Sequence, residues 1–344
     1  MIPEEKHTEV AILGAGNIGL ALKALLGTQL NVHIADLNEG YGITQVDFSD
    51  YNQLKKFIHD KHIVVSALPY FLNKDVAKAC CETRTAYFDL TEDVGVTEYV
   101  RDIAEDAKVT FMPQCGLAPG AINVIGHNLV QGFDEVHSLS LRVGALPKFP
   151  TNSLKYYLSW NTDGVVNEYI ELCDALYNGE QIKTVPMEGL EHITIEGIEY
   201  EAFNTSGGVG TLCDSLHGTV ENLSYKTIRY PGHRDKMRVL LDDLDLKQDK
   251  ELLTKIMNRS VPITTDDVVV IFAEAIGMKN GKLVSENYTK HIQGALGLTA
   301  IQRATAMGAV AMINMLVEGQ FPEQGFVKQE DIDAEEFFKH AEVY

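Results

Sequence analysis

Short apolar runs recur along the first third of the chain: Val10–Leu13, Val32–Ala35, Ile63–Leu68, Ala86–Leu90 and Val109–Met112. Each is predominantly apolar rather than alternating and too short for a helix, the pattern of strands buried on both faces. Helical stretches lie between them, which predicts a parallel, doubly wound sheet with right-handed crossovers. A third strand is expected to end at Val46-Asp47. Farther on, the pattern changes to period-2 alternation in Ser138–Val143 and Ile193–Glu196, and Asn280-Gly281 between Val268–Ile276 and Lys282–Tyr288 signals a hairpin. Helices are expected over Asp163–Tyr177, Thr211–Leu223, His233–Leu244 and Lys250–Asn258. Leu298–Glu318, rich in Ala and Met, is expected to be a core helix that returns to the first domain.

The first run leads into Gly14-Ala15-Gly16-Asn17-Ile18-Gly19 and then a helix, while the second ends in Asp36. Strand before, helix after and an acid at the next strand's end together give the dinucleotide fingerprint its context. Gly14 permits the tight turn, Gly16 leaves room for a pyrophosphate, and Gly19 lets the helix lie on the sheet. The helix start at Asn17 and Ile18 turns free N–H groups toward the phosphates. Asp36 would bind both ribose hydroxyls and repel a 2′-phosphate, and no Arg or Lys follows among Leu37, Asn38, Glu39 and Gly40. The expected cofactor is therefore NAD. Polar and small groups at strand ends line the crevice in such sheets. Asp47 is placed near the adenine, Ser66, Leu68 and Pro69 near the cofactor, and Asp89 and Thr91 near its reactive end. The fold class expected is α/β, a Rossmann-type doubly wound parallel sheet plus a second α+β domain on a largely antiparallel sheet. Residues 1–122 and 297–344 would form the dinucleotide-binding domain and 123–296 a substrate-binding and dimerisation domain.

Composition narrows the partners. With 29 Lys and Arg against 49 Asp and Glu, the net charge of −20 argues against nucleic acid and anionic membranes. No signal-like pattern stands at Met1–Lys6, and five cysteines (Cys80, Cys81, Cys115, Cys173 and Cys213) lack zinc spacing. A cytoplasmic protein with reduced thiols, a homodimer and no metal is expected. None of the histidines, from His7 to His340, shows ligand spacing. An anionic substrate would need positive charge concentrated locally.

Four stretches carry candidate chemistry. Gln114–Gly120, with Gly116 and Pro119, follows the last parallel strand and makes a fixed turn toward the cofactor, or a plain interdomain hinge. Trp160, the only Trp, is expected at a strand end beside a helix cap, as packing or as a pocket wall. Phe203–Thr211 is rich in small residues ahead of an expected helix, so Ser206 and Gly207 offer amides to an anion, unless this is a flexible loop. Tyr225–Arg234 holds the densest cations. There Arg229 is a candidate carboxylate anchor beside Tyr225, with Lys226 and His233 as candidate proton carriers; the alternative is a basic stripe balancing local acids.

The Gly-rich front taken with Gly116–Gly120, Phe203–Gly210 and Tyr225–His233 resembles the saccharopine dehydrogenase family, in its glutamate-forming saccharopine reductase branch, and the similar L-lysine 6-dehydrogenases. The resemblance spans roughly residues 8 to 320. It implies an NAD-dependent oxidoreductase acting at a C–N bond of a lysine-derived amino acid, saccharopine or L-lysine, to give 2-aminoadipate semialdehyde. Asp89 is then the candidate for handling the amine, and Arg229 for a substrate carboxylate, helped by Ser206 and Gly207. The family pattern often carries an acid before the Pro-Gly, where this chain has Ala118. A carboxynorspermidine dehydrogenase-like, polyamine-forming reductase and a non-catalytic NAD-binding regulator are the alternatives.

Overall fold

The computed structural model describes residues 8–344. Met1–Lys6, where no leader is expected, and His7 lie outside the described residues. The chain divides into two compact units, Met1–Val124 with Gln302–Tyr344, and Ile125–Ile301.

The first unit is built on β1 (Glu9–Leu13), β2 (Asn31–Asp36), β3 (Thr44–Gln45), β4 (Ile63–Ser66), β5 (Ala86–Asp89) and β6 (Thr110–Met112). All pair in parallel in the order β6-β5-β4-β1-β2-β3, and a two-residue strand at Gly325–Phe326 extends the β6 edge. Strands β4, β5 and β6 are buried along their whole length, as their predominantly apolar sequences require. Crossovers are made by α1 (Asn17–Leu26), α2 (Tyr51–Ile58), α3 (Asn73–Thr83) and α4 (Val94–Ala104), and helix α5 (Ala121–Val130) follows β6 in the chain. Asp50 and Asp93 cap α2 and α4 by accepting backbone N–H bonds in the first turn. The third strand stops before Val46-Asp47, because the Asp47 carboxylate folds the chain back by accepting from the amide and hydroxyl of Ser49.

The Ala- and Met-rich helix runs Ala300–Val317, and from Gln302 on it belongs to this first unit. Its Gly308 lets a turn approach closely, since a Cβ there would lie 2.5 Å from the Gly116 carbonyl oxygen. The Tyr344 hydroxyl donates to the Ala304 carbonyl at 2.5 Å, fastening the C-terminal residues to that helix. By length and composition the helix is apolar enough to cross a membrane, but most of it is buried in the fold.

The second unit carries β7 (Glu135–Pro147), β8 (Cys173–Tyr177), β9 (Glu180–Thr184), β10 (Glu191–Ile195), β11 (Ile198–Asn204), β12 (Val220–Arg229), β13 (Asp267–Lys279) and β14 (Lys282–Gln293). The main sheet runs β10-β11-β12-β7-β13-β14, with β8 and β9 attached beside β12. Only β12 and β7 pair in parallel. Asn280 and Gly281 both take positive φ, 54° and 69°, which gives the β13–β14 turn the twist a two-residue hairpin needs.

Two expected helices are shorter than their windows. Helix α6 covers Thr162–Glu168 only, and Cys173–Tyr177 is β8, which buries Cys173, Ala175 and Leu176 and pairs with β9. Helix α7 is the single turn Leu212–Ser215, because Gly218 turns the chain at φ +73° and β12 begins at Val220. In both places strand pairing overrides a helix-compatible sequence. His233–Leu244 divides into α8 (His233–Arg238) and a π-helical turn at Val239–Asp243, and α9 covers Lys250–Ser260. Trp160 does not end a strand. Leu158 forms one isolated bridge to Ile263, and the cap of α6 is Asn161, whose side chain accepts from the Asp163 amide.

Candidate nucleotide and substrate sites

In the first unit the glycine turn sits at the carboxyl end of β1. Gly14 has φ +97°, and a Cβ on it would lie 2.8 Å from the Ala67 carbonyl oxygen, so side chains are excluded both by conformation and by space. A Cβ on Gly19 would lie 1.9 Å from the Gly14 carbonyl oxygen, which brings α1 against β1. Gly16 differs: a Cβ there meets nothing within 4 Å. The space over Gly16 is open, and no side chain caps α1, so the amides that begin at Asn17 and Ile18 remain available to an anion. These residues fit a dinucleotide pyrophosphate.

Asp36 closes β2 and accepts the Ala15 amide at 2.7 Å and the Asn38 amide at 2.9 Å. Partial burial pushes its carboxyl up, but these bonds outweigh that and hold it below the usual carboxylate range. It is an ionised group beside the glycine turn. Leu68 reaches the same turn, its Cδ2 lying 3.3 Å from where a Gly14 Cβ would be, and Pro69 follows it at the surface. Ser66 is less available than expected, being buried with its hydroxyl donating to Asn73 Oδ1 at 2.7 Å. Asp47 is occupied by Ser49, as described above.

Asp89 needs correction as the group that handles an amine. It is fully buried, and Oδ2 accepts from the Tyr87 hydroxyl at 2.5 Å while Oδ1 accepts from the Thr91 amide at 3.1 Å and the Gln114 amide at 2.8 Å. Burial raises its pKa, those bonds lower it, and the balance stands at about 6. Its visible work is to tie the loop after β5 to the loop after β6. Gly116 and Pro119 are also enclosed: Gly116 bridges to Gly120, and a Cβ on Gly120 would stand 2.1 Å from the Gly116 carbonyl oxygen. The turn is a packed plug under Gly308, which leaves only Ala118 partly exposed.

In the second unit a buried polar cluster surrounds Arg229. Its guanidinium lies over the rings of Tyr156 and Tyr169, 5.0 and 5.7 Å from their centroids. Nε donates to the Tyr169 hydroxyl at 2.8 Å and one terminal nitrogen to the Ile228 carbonyl at 2.9 Å. Burial alone would weaken the cation, but Tyr169, Tyr156 and Glu168 hold it charged. The Thr205 and Ser159 hydroxyls are buried without a hydrogen-bond partner. Trp160 packs on the same apolar cluster as Tyr156, Tyr169 and Phe203.

His233 and Lys226 do not qualify as proton carriers. His233 is fully buried beside Tyr156, Tyr169 and Phe203. Burial, then the neighbouring Arg229 cation, lowers its pKa to about 3. The neutral ring donates from Nδ1 to the Leu154 carbonyl at 2.8 Å, which can only accept, so its Nε2 is bare and accepts from the Tyr169 hydroxyl at 3.0 Å. His233 is therefore a brace for Tyr169 and Arg229. Lys226 Nζ is tied to the Glu191 carboxylate and to the Gly189 carbonyl. The Ser206 amide is likewise committed, donating to the Glu168 carbonyl at 3.1 Å. Gly207 turns at φ +86°, ahead of a helix of only four residues. Tyr225 is buried with its ring against Gly208, where a Cβ would come within 2.2 Å of it.

Sequence reading missed Tyr156, Glu168 and Tyr169. The last two lay inside a stretch read as one long helix, and only its early stop at Glu168 turns them toward Arg229.

The open phosphate cradle, the tight glycine pair and the terminal acid define a dinucleotide-binding α/β protein with a second, mixed-sheet unit. Comparison with known families is specific. A saccharopine dehydrogenase NADP binding domain matches residues 10–112, and a saccharopine dehydrogenase C-terminal domain matches 116–341. The chain belongs to the saccharopine dehydrogenase family of oxidoreductases. It is similar to the mitochondrial alpha-aminoadipic semialdehyde synthase of Bos taurus, 22% identical over 339 residues, or 87% of this chain and 36% of that one. Saccharopine dehydrogenase [NADP(+), L-glutamate-forming] of Saccharomyces cerevisiae is 24% identical over 261 residues, 70% of this chain and 56% of that one. This chain thus spans about a third to a half of the length of these relatives. The apo structure of the L-Glu-forming saccharopine dehydrogenase from Saccharomyces cerevisiae shares the fold with a TM-score of 0.76 at 15% identity, covering 97% of this chain and 96% of that one.

Proposed function

We propose that this chain oxidises a C–N bond of a lysine-derived amino acid, saccharopine or L-lysine, with NAD, to release 2-aminoadipate semialdehyde. The observation that carries the reading is the buried Arg229, flanked by the Tyr156 and Tyr169 rings, with unpartnered hydroxyls from Ser159 and Thr205 in the same unit. Buried polar groups are normally hydrogen-bonded, so groups left unsatisfied in the protein alone are suited to a ligand that completes them. A carboxylate accepts from a guanidinium and from hydroxyls alike, and a bidentate pair with Arg229 would orient it. A bound nicotinamide would supply the hydride-accepting carbon. The chain's own part is to hold the carboxylate at Arg229, with Tyr169 and His233 bracing the guanidinium, and to present the phosphate cradle at Gly14–Gly19.

The choice of NAD rests on Asp36. Although the matched family domain is described as NADP binding, an ionised carboxylate at the end of β2 repels a 2′-phosphate. The next side chain, Leu37, brings no cation to offset it. The deciding experiment is NADH formation at alkaline pH with saccharopine, L-lysine and polyamines in parallel. Turnover of saccharopine or L-lysine is expected. Turnover of carboxynorspermidine alone would move the function to the polyamine reductases, and no amine-dependent turnover would make the chain an NAD-binding regulator.

A further inference from the structure

Neither Asp89, which is enclosed, nor His233, which is held neutral, is available to meet the substrate nitrogen. Two other residues of the first unit stand at the carboxyl ends of adjacent strands, where ligands of doubly wound sheets bind. Glu92 lies in the loop between β5 and α4, partly buried, and its carboxyl forms no hydrogen bond or ion pair with a side chain among the described residues. Its neighbour Asp93 is spent on capping α4. Gln114 lies just after β6 in a left-handed backbone conformation, φ +62°, which a side chain rarely adopts. It is buried, and its side-chain oxygen Oε1 has no hydrogen-bond partner. An orphaned buried carbonyl is destabilising unless a ligand completes it. The two loops are held side by side because Asp89 Oδ1 accepts from both the Thr91 and the Gln114 amides.

We propose that Glu92 and Gln114 are the acceptor pair for the substrate nitrogen, with Glu92 as the base that takes its proton. This rests on the C–N dehydrogenase reading above. A secondary ammonium such as that of saccharopine carries two N–H groups. One would go to the Glu92 carboxylate and the other to Gln114 Oε1. Glu92 removes one proton from nitrogen and becomes a neutral acid. The freed lone pair forms the C=N bond as the adjacent C–H leaves as hydride, two electrons passing to NAD⁺ to give NADH. Water then adds to the protonated imine, the C–N bond breaks, and the products are an aldehyde and an ammonium. The Glu92 proton returns to solvent. Burial, then the charges of Asp93 and Asp89, raises the Glu92 pKa, as a base working near neutrality requires. Those two acids are the charged groups that bear on it.

The test uses the full chain with NAD and either saccharopine or L-lysine as probe. Glu92→Gln keeps the shape and removes the base. It should lower kcat at least 10²-fold and abolish the acidic limb of the kcat/KM pH profile, with NAD affinity by fluorescence titration unchanged. Gln114→Leu removes an oxygen that the protein itself leaves unsatisfied. Its unfolding midpoint in urea should be equal or higher, while the apparent affinity of the NAD-loaded protein for saccharopine, by calorimetry, falls about tenfold. A structural role would instead lower stability. If the wild type turns over either probe and Glu92→Gln keeps its rate and pH profile, the assignment is wrong and the function stands. The same holds if Gln114→Leu is destabilised with affinity intact. If the wild type turns over neither amine, the functional reading fails and takes this assignment with it.

Discussion

His233 gives a prediction whose size follows from the structure. The folded protein holds its pKa at about 3, while the ordinary histidine value is 6.5. Because the unfolded chain binds the proton and the folded one does not, stability is complete above 6.5 and is lost as pH falls from 6.5 toward 3. Each pH unit well inside that window costs about 1.4 kcal/mol. Between pH 7.5 and 5.0 the loss from this one group is about 2 kcal/mol. Carboxylates titrate in the same range, so the measurement should be a difference between wild type and His233→Gln. At pH 7.5 the variant should be weaker by roughly 2 kcal/mol, having lost the bonds to Leu154 and Tyr169. At pH 5.0 that gap should shrink by about 2 kcal/mol, because only the wild type carries the cost of keeping the ring neutral. Urea unfolding read by tryptophan fluorescence suits the question, since Trp160 is the only Trp and packs on the cluster that contains Tyr156 and Tyr169. For an m-value near 2 kcal/mol/M the midpoint separation would change by about 1 M. A gap that is constant or widens on acidification would refute the neutral, bracing histidine.

The remaining predictions concern the two sites and assembly. NAD should bind at least tenfold, or about 1.4 kcal/mol, more tightly than NADP; equal affinities in a titration would count against Asp36 as the discriminator, and Asp36→Ser with Leu37→Arg should shift the preference toward NADP. Gly16→Ala should melt like wild type yet bind dinucleotide at least tenfold more weakly. Gly19→Ala should lose several kcal/mol in thermal unfolding, because its Cβ would lie 1.9 Å from a carbonyl oxygen. Arg229→Ala should raise the Michaelis constant of the amine substrate roughly 10²-fold with cofactor affinity unchanged, and Arg229→Lys should rescue only partly, lacking the planar fork. The second unit presents the twelve-residue β14 as an edge strand, and we expect a homodimer through that unit; a monomeric mass by light scattering at micromolar concentration would exclude it.

The sequence alone determined the parallel sheet, the glycine turn and the acid at the end of β2, because these depend on contiguous residues. A buried parallel strand writes itself as a short, mostly apolar run, and a phosphate turn as fixed glycines, so both survive without knowledge of the rest of the chain. The tight β13–β14 hairpin was legible for the same reason: Asn280-Gly281 is a local conformational requirement. Tertiary structure alone decided where helices α6 and α7 stop, since strand pairing by Cys173–Tyr177 and by β12 outbids local propensity. It also decided what the charged residues do. Lys226, His233 and Asp89 looked chemically active by type, but a salt bridge, complete burial and a full set of hydrogen bonds commit them to structure. The opposite holds for Ser159, Thr205 and Gln114, ordinary in sequence and distinguished only by polar atoms that folding buries without a partner. Hydrogen-bond satisfaction is a property of distant residues brought together, and no spacing along the chain encodes it.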